Sequence, residues 1–394
     1  MPEGHSVHRL ARQFTDVFGG RRIRATSPQG RFAEGAALLD GQVLKRARAH
    51  GKHFFADVSG GHVLHVHLGM YGAWTFGGDQ DFAAASSIGA PRRIGEREVH
   101  DDGAPAAEPA RDADGWVQPP PPASTVRLRL RAEHGWADLI GASRCRALTP
   151  AEAADVVAGL GPDPLSDDDP APFYDLARRT RRPIGVVLMD QAAVSGIGNI
   201  FRAEALFRAG IDPWRPAREV SASDLAFLWA DNAALMREGV RLGRIVTTRP
   251  EHRPGIPAEA AWPEHANYVY QRQGLACLVC GRETIVVEEM AARKLYRCLN
   301  CQSSGACSRP DRAQRSRHRR GRRRTRESHE PGHRVHTMTR LMRSGGDDGN
   351  RTRVASLEDW GSTIELHPRG AALGADQRLT PYHGGPASAV GEEA

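Results

Sequence analysis

The sequence predicts an α+β protein in which an N-terminal helix and a β-sandwich precede a helical domain, a four-cysteine ribbon and a disordered basic tail. Three observations support this prediction. Apolar residues recur at helical spacing at the start of the chain and again after residue 173, short alternating strands lie between these regions, and two Cys-x-x-Cys pairs lie close to residue 290. Hydrophobic residues occupy 40% of the 394 positions, which suffices for more than one core.

The chain starts with an amphipathic helix, which is predicted from Glu3 to Phe18. Its apolar residues at helical spacing are Val7, Leu10, Ala11, Phe14, Val17 and Phe18. Gly19-Gly20 then ends the pattern. Docking of the apolar face on a core would hold the first residues of the chain in place.

A β-rich domain is predicted over residues 2–148. Ser59-Gly60-Gly61 would join two of its strands, Phe54 to Val58 and His62 to Leu68, in a hairpin. Residues 77–124 are rich in Gly, Ala, Asp and Pro, and this composition predicts a flexible insertion.

Two further strands of this domain are predicted after the insertion. The alternation from Val126 to Arg131 places three apolar side chains inward and Arg127, Arg129 and Arg131 outward. The segment from Trp136 to Ile140 would pair with this strand.

Residues 149–250 are predicted to form a helical domain. The turn-rich segment 159–164 would act as a domain hinge, and the helical pattern runs from Phe173 to Gly243. Ser221 suits the N-cap position of the last long helix. The glycine-rich turn 195–199 opens another helix and would suit a phosphate, although glycines at such a corner also serve backbone geometry alone.

Four cysteines define a third domain, residues 265–302. Cys277 and Cys280 are followed, after 17 residues, by Cys298 and Cys301. Two such pairs provide four thiolates, which predicts one structural Zn²⁺ in a tetrahedral site with no open position. The residues between the pairs fit a two-stranded ribbon. Its Arg293 and Lys294 could reach nucleic-acid phosphates or be solvated surface charges.

Residues 303–394 are predicted to be a disordered arginine-rich extension. Ten of the eighteen residues from Arg309 to Arg326 are arginine. Such a run binds nucleic acid non-specifically, and a dispensable extension is at least as well supported.

The net charge of +7 favours a polyanionic partner. The sequence has no apolar run of membrane-spanning length and no signal peptide pattern. A cytoplasmic protein without a membrane partner is therefore expected.

The first residues of the chain suit covalent chemistry. Removal of Met1 would expose the secondary amine of Pro2 beside the carboxylate of Glu3. An α-amino group has a pKa of about 7.7–8.0, so roughly a tenth of it is unprotonated at pH 7 and can attack an electrophilic carbon. With Glu3 for proton transfer, the pair suits formation of a Schiff base. A proline followed by an acidic residue is also a routine helix start.

Together these motifs resemble the formamidopyrimidine-DNA glycosylase and endonuclease VIII family of bifunctional base-excision enzymes. The resemblance covers residues 2–302 in family order and is closer to the endonuclease VIII branch. The segments that carry it are Met1-Pro2-Glu3-Gly4, Gly51-Lys52, His67-Leu68-Gly69-Met70, Leu188-Met189-Asp190-Gln191, Gly198-Asn199 and the four-cysteine ribbon with Arg293. Residues 2–148 would then be the catalytic domain and residues 149–250 a helix–two-turn–helix domain.

The resemblance implies catalytic roles for three residues near the N-terminal end. Pro2 would attack C1′ of a damaged nucleotide and expel the base, and Glu3 would transfer the protons that open the sugar ring. Lys52 would contact a phosphate and assist. The iminium intermediate would lead to β-elimination or β,δ-elimination.

The same resemblance implies a DNA-binding set. Its members are His67, Met70, Asn199, Glu204, Lys294 and Arg293. Arg293 would also take part in catalysis. Asn199 and Arg293 would grip phosphates around the lesion, and Met70 would fill the gap left by the extruded nucleotide. Glu204 would orient the N-terminus. The implied partner is damaged DNA, duplex or single-stranded, bound by a monomer that stays with the nucleoid.

Two departures from the formamidopyrimidine branch bear on the substrate. Ser6 stands where that branch carries a second acidic residue, and the region of residues 138–141 lacks its Arg-Phe-Gly loop. Oxidised pyrimidines are therefore expected as substrates rather than 8-oxoguanine. Two alternatives stay open: a non-catalytic protein that binds damaged DNA, and a zinc-ribbon protein that acts on RNA.

Overall fold

A computed structural model of the chain describes residues 2–90 and 109–303. The chain divides into two units, Met1–Thr325 and Arg326–Ala394, and all described residues belong to the first. The predicted disordered extension, apart from Ser303, and residues 91–108 of the predicted insertion lie outside the described residues. None of the described helices is long and apolar enough to cross a membrane.

Two antiparallel sheets form the N-terminal β-sandwich. The strands are β1 (Arg24–Thr26), β2 (Leu44–His50), β3 (His53–Val58), β4 (Val63–His67), β5 (Ala73–Gly78), β6 (Ser87–Gly89), β7 (Val126–Ala132), β8 (Gly135–Ile140) and β9 (Arg144–Leu148). One sheet has the order β1-β7-β8-β5-β6, and the other has the order β2-β3-β4-β9. The predicted hairpin at residues 59–61 and the pairing of β7 with β8 are confirmed.

Helix α1 (Gly4–Phe18) and the short α2 (Ala33–Leu39) complete this domain. The apolar face of α1 packs into the main core, as its spacing predicts. Phe14 makes edge contacts with Phe54 and Trp74, each with ring centroids 4.8 Å apart. Because aromatic side chains bury large apolar areas, these contacts fix the second half of α1 against the sheets.

The prediction of a flexible insertion over 77–124 is wrong at both of its ends. Ser87–Gly89 forms β6 and pairs with β5, and Phe82, Ile88 and Val117 are buried. A few apolar side chains suffice to fix a segment that is otherwise rich in Gly, Asp and Pro, so its composition concealed them.

Arg129 is buried, although the alternation of its strand predicts an outward position. Its guanidinium makes two hydrogen bonds of 2.7 Å to the carboxylate of Asp138. The two residues are directly opposite in the pairing of β7 with β8. Two-point pairing with a carboxylate satisfies a buried guanidinium, which the pattern of one strand cannot reveal.

The second domain is helical. Its helices are α3 (Pro150–Ala158), α4 (Ala171–Arg179), α5 (Ile184–Val187), α6 (Asn199–Ala209), α7 (Ala222–Leu242) and α8 (Pro263–Ala266). Ser221 caps α7 by accepting a hydrogen bond from the backbone N–H of Asp224, as predicted. Gly210 ends α6 in the left-handed conformation, with φ of 66°, which favours glycine.

The predicted two-stranded ribbon is confirmed. Its strands are β10 (Ile285–Met290) and β11 (Arg293–Cys298), joined by Ala291 and Ala292. The ribbon shares a buried cluster with α6, in which the ring of Phe207 stacks on Tyr268 at 4.8 Å. Helix α6 therefore packs against the ribbon through the side that carries Phe207.

Candidate active site

Three chain segments meet at the start of α1. The backbone N–H of Gly4 donates to the carbonyl of Gly196 at 2.9 Å. Gly51, in the turn between β2 and β3, has φ of +56°, and a Cβ atom there would lie 2.7 Å from Cβ of Ser195. Such close backbone approach requires glycine, so the turn before β3 and the turn before α6 both reach the N-terminus.

Glu3 occupies the centre of this junction and is fully buried. Its carboxylate accepts hydrogen bonds from the backbone N–H groups of Gly198 at 3.0 Å, Ile200 at 2.8 Å and Phe201 at 3.3 Å. Burial raises the pKa of Glu3, while the charge of Lys52 and these hydrogen bonds act to lower it. The carboxyl group is therefore suited to proton transfer.

The turn before α6 was predicted to suit a phosphate. This prediction is wrong for the backbone N–H groups that donate to Glu3, because they already have an acceptor. The N-terminus of α6 does bind an anion, but the anion is the carboxylate of Glu3. Gly198 is needed for this contact, because a Cβ atom there would lie 2.4 Å from the Glu3 carboxyl carbon.

Lys52 lies in the same pocket. Its Nζ donates to the carbonyl of Ile197 at 2.7 Å. Burial lowers the pKa of Lys52 to about 8, the charge of Glu3 acts in the opposite direction, and the charge of Arg293 lowers it further. Lys52 and Glu3 of the N-terminal domain are thus electrostatically coupled to Arg293 of the ribbon.

Pro2 is buried next to Glu3. Met1 lies outside the described residues. Since Pro2 and Glu3 are adjacent in the chain, an amine exposed at Pro2 would lie beside the pocket that contains the Glu3 carboxylate. Ser6, which departs from the formamidopyrimidine branch, donates its hydroxyl to the Glu3 carbonyl at 2.9 Å and supports the first turn of α1.

Asn199 connects α6 to the ribbon. Its Nδ2 donates to the backbone carbonyl of Lys294 at 2.8 Å, and its Oδ1 accepts from Arg202. Arg202 also donates to the carbonyl of Lys294 at 3.1 Å. The side chain of Lys294 is exposed, so its position allows contact with a ligand on the surface of the ribbon.

Arg202 was missed from the sequence. Its side chain is fully buried, burial lowers its pKa to about 10, and its Nε and Nη1 have no hydrogen-bond partner among the described residues. The available signal was its position three residues after Asn199, on the same face of α6. An arginine in an amphipathic helix is usually solvated, so that signal is weak.

The loop after β4 carries two exposed apolar side chains. Met70 is 43% exposed and Tyr71 is 76% exposed. Nη1 of Arg293 lies 3.0 Å from Sδ of Met70, so the loop and the ribbon approach each other. Tyr71 was missed, although an aromatic residue between Gly69 and Gly72 is an indication of an exposed tip.

His67, at the end of β4, faces the same region. Its Nδ1 lies 2.9 Å from Oγ of Ser143. Burial lowers the pKa of His67, and the charges of Lys52 and Arg144 lower it further. The side chain therefore lies within the electrostatic reach of both cations.

The prediction that Glu204 binds DNA and orients the N-terminus is wrong. Glu204 is fully buried, and its carboxylate accepts from the backbone N–H groups of residues 268–270 and from the hydroxyl of Thr247. It therefore holds the segment before the ribbon against α6. The sequence around a buried acidic residue does not reveal which distant N–H groups donate to it.

The four cysteines of the ribbon form one cluster that could bind a metal. Sγ of Cys277 lies 3.9 Å from Sγ of Cys301, and Sγ of Cys280 lies 3.8 Å from Sγ of Cys298. Four sulfurs at the Zn–S distance of about 2.3 Å in a tetrahedron lie roughly 3.8 Å apart, so this donor set fits Zn²⁺. Oγ1 of Thr284 lies 3.0 Å from Sγ of Cys298 and supplies an outer hydrogen bond.

Comparison with known proteins gives consistent results for sequence and fold. Residues 1–135 match the formamidopyrimidine-DNA glycosylase N-terminal domain, and residues 160–250 match the formamidopyrimidine-DNA glycosylase H2TH domain. The MutM (Fpg) protein from Thermus thermophilus has a similar fold, with a TM-score of 0.54 at 24% identity, covering 77% of this chain and all of the other. A Lactococcus lactis Fpg in complex with abasic-site-containing DNA gives a TM-score of 0.55 at 19% identity and the same coverage.

Curated relatives match over most of the chain. A formamidopyrimidine-DNA glycosylase of Cereibacter sphaeroides is 31% identical over 315 residues, which are 77% of this chain and all of the relative. Endonuclease 8 1 of Mycobacterium tuberculosis is 41% identical over 305 residues, with the same coverage. The resemblance drawn from the motifs is thus confirmed, and the chain belongs to the formamidopyrimidine-DNA glycosylase and endonuclease 8 family, a family of DNA glycosylases with abasic-site lyase activity.

Proposed function

We propose that this protein is a bifunctional DNA glycosylase and abasic-site lyase that uses the amine of Pro2 as its nucleophile after Met1 is removed. The observation that carries the proposal is the buried carboxylate of Glu3, held at the start of α6 directly beside Pro2, with Lys52 in the same pocket. A buried carboxylate and a cation beside a chain-terminal amine are suited to attack on a sugar carbon followed by proton transfer.

The proposed reaction takes place in successive steps on the deoxyribose. The Pro2 nitrogen forms a bond to C1′ while the bond from C1′ to the base breaks, and the base leaves with the proton that the Pro2 nitrogen gives up. Opening of the sugar ring breaks the bond from C1′ to O4′, and a proton from Glu3 is taken up by O4′. Ring opening leaves an iminium at C1′. The Glu3 carboxylate, which has given its proton to O4′, can then take the proton from C2′ as the 3′ phosphate departs, and a second elimination, with loss of the C4′ proton to solvent, can release the 5′ phosphate.

DNA is held by groups from all three domains in this proposal. Lys52, His67 and Arg293 present cationic or donor groups near the pocket, and Lys294 is exposed on the ribbon. The side-chain amide of Asn199 donates to the carbonyl of Lys294. Asn199 would therefore contact a phosphate only after this hydrogen bond breaks, or it would act indirectly by positioning the ribbon. Phosphate contacts of this kind fix the backbone without reading its sequence.

Met70 and Tyr71 would enter the duplex at the lesion. A damaged base must leave the stack before the amine can reach C1′, and this costs a few kcal/mol of stacking and pairing. Exposed apolar side chains at a loop tip can occupy the gap and offset part of that cost. Binding of chromosomal DNA would also keep a monomeric enzyme at the nucleoid.

The ribbon would hold one structural zinc ion. The residues that would bind it are Cys277, Cys280, Cys298 and Cys301. When bound, zinc supplies a rigid cross-link between the two cysteine pairs. The chain's own residues then present Arg293 and the carbonyl of Lys294 to the pocket and to Asn199.

Covalent trapping tests the proposal. Protein with a native N-terminus is incubated with abasic-site DNA and borohydride, and the cross-linked peptide is identified by mass spectrometry. We expect the adduct at the nitrogen of Pro2, because borohydride reduces the iminium to a stable amine. Trapping on duplexes with an oxidised pyrimidine is expected to exceed trapping on 8-oxoguanine, in line with the departures at Ser6 and residues 138–141.

A protein that retains Met1 ahead of Pro2 is the matched control and should give no adduct. Binding without any adduct from correctly processed protein would instead describe a non-catalytic protein that binds damaged DNA. An adduct at Lys52 would show that the wrong amine has been assigned.

The lowered pKa of Lys52 predicts a pH dependence of DNA binding. The ammonium form predominates below pH 8, so its attraction for a phosphate is present at pH 7 and is lost as the pH rises through about 8, rather than through 10.5 as for an ordinary lysine. We expect affinity for a duplex with a stable abasic analogue to fall about tenfold between pH 7 and pH 9, as measured by fluorescence anisotropy. Lys52→Arg should remove most of this fall, whereas Lys294→Arg should retain it; an unchanged profile in Lys52→Arg contradicts the assignment.

A further inference from the structure

The outer face of the sheet β2-β3-β4-β9 carries an unusual number of imidazole and basic side chains. The alternate residues Phe54, Ala56, Leu64 and Val66 face the main core. The strand registers therefore place two rows of other side chains on the opposite face. One row is His50, His53, His67 and Arg144, and the next is Arg48, Phe55, His65 and Arg146.

A β-bulge adds further cations to this face. The register of β2 against β3 shifts between Leu44 and Arg46, which leaves Lys45 as the extra residue. A bulge redirects side chains, and here Lys45, Arg46 and Arg48 all line one cavity of about 360 Å³. We name Lys45, Arg46, Arg48, Arg144 and Arg146 the basic strip.

Few acids oppose these cations. Asp57 lines the cavity and pairs with Arg46 at 3.0 Å and with Arg48 at 3.7 Å. Arg144 and Arg146 are exposed and have no ion pair with any other residue that the structure describes, although the charge of Arg146 contributes to lowering the pKa of Glu152 on α3. His62 also lines the cavity, and its Nδ1 has no hydrogen-bond partner among the described residues. The strip thus has an excess of positive charge.

The basic strip is continuous with the candidate active site. The turn that carries Lys52 joins β2 to β3, and the row that contains His53, His67 and Arg144 follows it directly. Asp57 lies five positions beyond Lys52 along β3, which corresponds to roughly 17 Å. The charges of both Lys52 and Arg144 act on His67, which places this imidazole between the pocket and the strip.

The chemistry of the face selects the class of partner. The apolar residues Phe55 and Val63 on it are buried, and both belong to a cluster with α3. A protein partner would need an exposed apolar anchor, which the described part of this face lacks. A chain of phosphates needs only cations and donors in series.

We propose that the basic strip binds the phosphate backbone of the DNA strand that leaves the catalytic pocket, so that the enzyme contacts DNA along the outer face of this sheet as well as at the lesion. The inference rests on the proposed function, because that function places the lesion at Lys52. The contact is to the backbone and does not depend on base sequence.

An alternative explanation is protection of sheet edges. β2 and β9 are the two edge strands, and charged side chains on an edge discourage pairing with other chains. This explanation predicts that removal of the arginines causes aggregation and leaves the salt dependence of DNA binding unchanged.

The test combines Arg46→Gln, Arg144→Gln and Arg146→Gln. DNA binding is measured by anisotropy against salt concentration, with a duplex of about one turn that contains an abasic analogue, alone or with a single-stranded arm on its 5′ or 3′ side. One of the two arms should strengthen binding to the wild-type protein. In the triple variant we expect the slope of log affinity against log salt for that substrate to fall by about 2 to 3, and the affinity at low salt to fall at least about tenfold.

A charge-matched control replaces Arg12, Arg31 and Arg237, which are exposed on other surfaces, with glutamine. The control should retain the wild-type slope, and both variants should bind the armless duplex as the wild type does. Equal salt slopes in both variants would overturn the inference. A loss of affinity that is seen only when the single-stranded arm is RNA instead of DNA would also overturn it. Borohydride trapping on the armless duplex separates the two proposals, because it reports the Pro2 chemistry whether or not the strip binds DNA.

Discussion

Glu3→Gln is expected to lower base release by a factor of about 10² to 10⁴, which is the range for loss of a positioned general acid or base. The amide cannot supply the proton that O4′ takes up when the sugar ring opens. Its carbonyl oxygen can take the place of Oε2 and accept from the N–H groups of Gly198 and Phe201, so most of the contact with α6 is preserved, and only the N–H of Ile200 loses its acceptor. Single-turnover excision of an oxidised pyrimidine measures the effect.

The same variant should retain much of its trapping on a pre-formed abasic site. Part of the abasic sugar is already an open aldehyde, so the Pro2 amine condenses with it without ring opening by Glu3. Glu289→Gln, on the exposed part of β10, is the matched control and should excise at the wild-type rate. Equal loss of excision and trapping would show that Glu3 acts mainly by holding the N-terminus on α6.

Cys280→Ser is expected to remove the metal from the ribbon. Structural zinc contributes an apparent free energy of about 10–16 kcal/mol in zinc-finger peptides, so a site with three thiolates should lose most of its bound zinc after mild chelation. Without the metal, β10 and β11 lose the link between the two cysteine pairs, and Arg293 is no longer held near Lys52. Metal analysis of purified protein and proteolysis of residues 275–302 measure these losses.

Cys145→Ser provides the control for this prediction. Cys145 lies in β9, far from the cluster along the chain, and burial raises the pKa of its thiol to about 12. The substitution should leave one zinc per chain and intact DNA binding. Retention of zinc by Cys280→Ser, or full trapping activity in metal-free protein, would contradict the structural role of the ribbon.

Prediction from sequence succeeded where the interacting residues are near one another in the chain. The apolar period of α1, the Ser59-Gly60-Gly61 hairpin and the Ser221 cap depend on spacings of two to four residues, and all are present. The cysteine cluster needed only the two local pairs and the ribbon between them. The family resemblance drew on these same short motifs.

Prediction failed where a distant group decides the environment of a side chain. Arg129 is buried because Asp138 lies opposite it on the next strand, and Glu204 is buried because residues 268–270 donate to it. The insertion was treated as unstructured because its few buried apolar residues are separated by turn-forming residues. Each outcome depends on pairing across the fold, which no local pattern contains.

The adjacency of Pro2 and Glu3 and the spacing of the cysteines were readable from the chain alone, because covalent neighbours stay together in any fold. The environment of Glu3 was not, since its carboxylate is placed by backbone N–H groups that follow it by about two hundred positions. Burial and the charge of Lys52, both products of tertiary packing, then act on its proton affinity. The sequence thus identified which side chains form the site, whereas long-range contacts decided their positions and protonation. The reason is that electrostatic and packing energies depend on distance in space and not on distance along the chain.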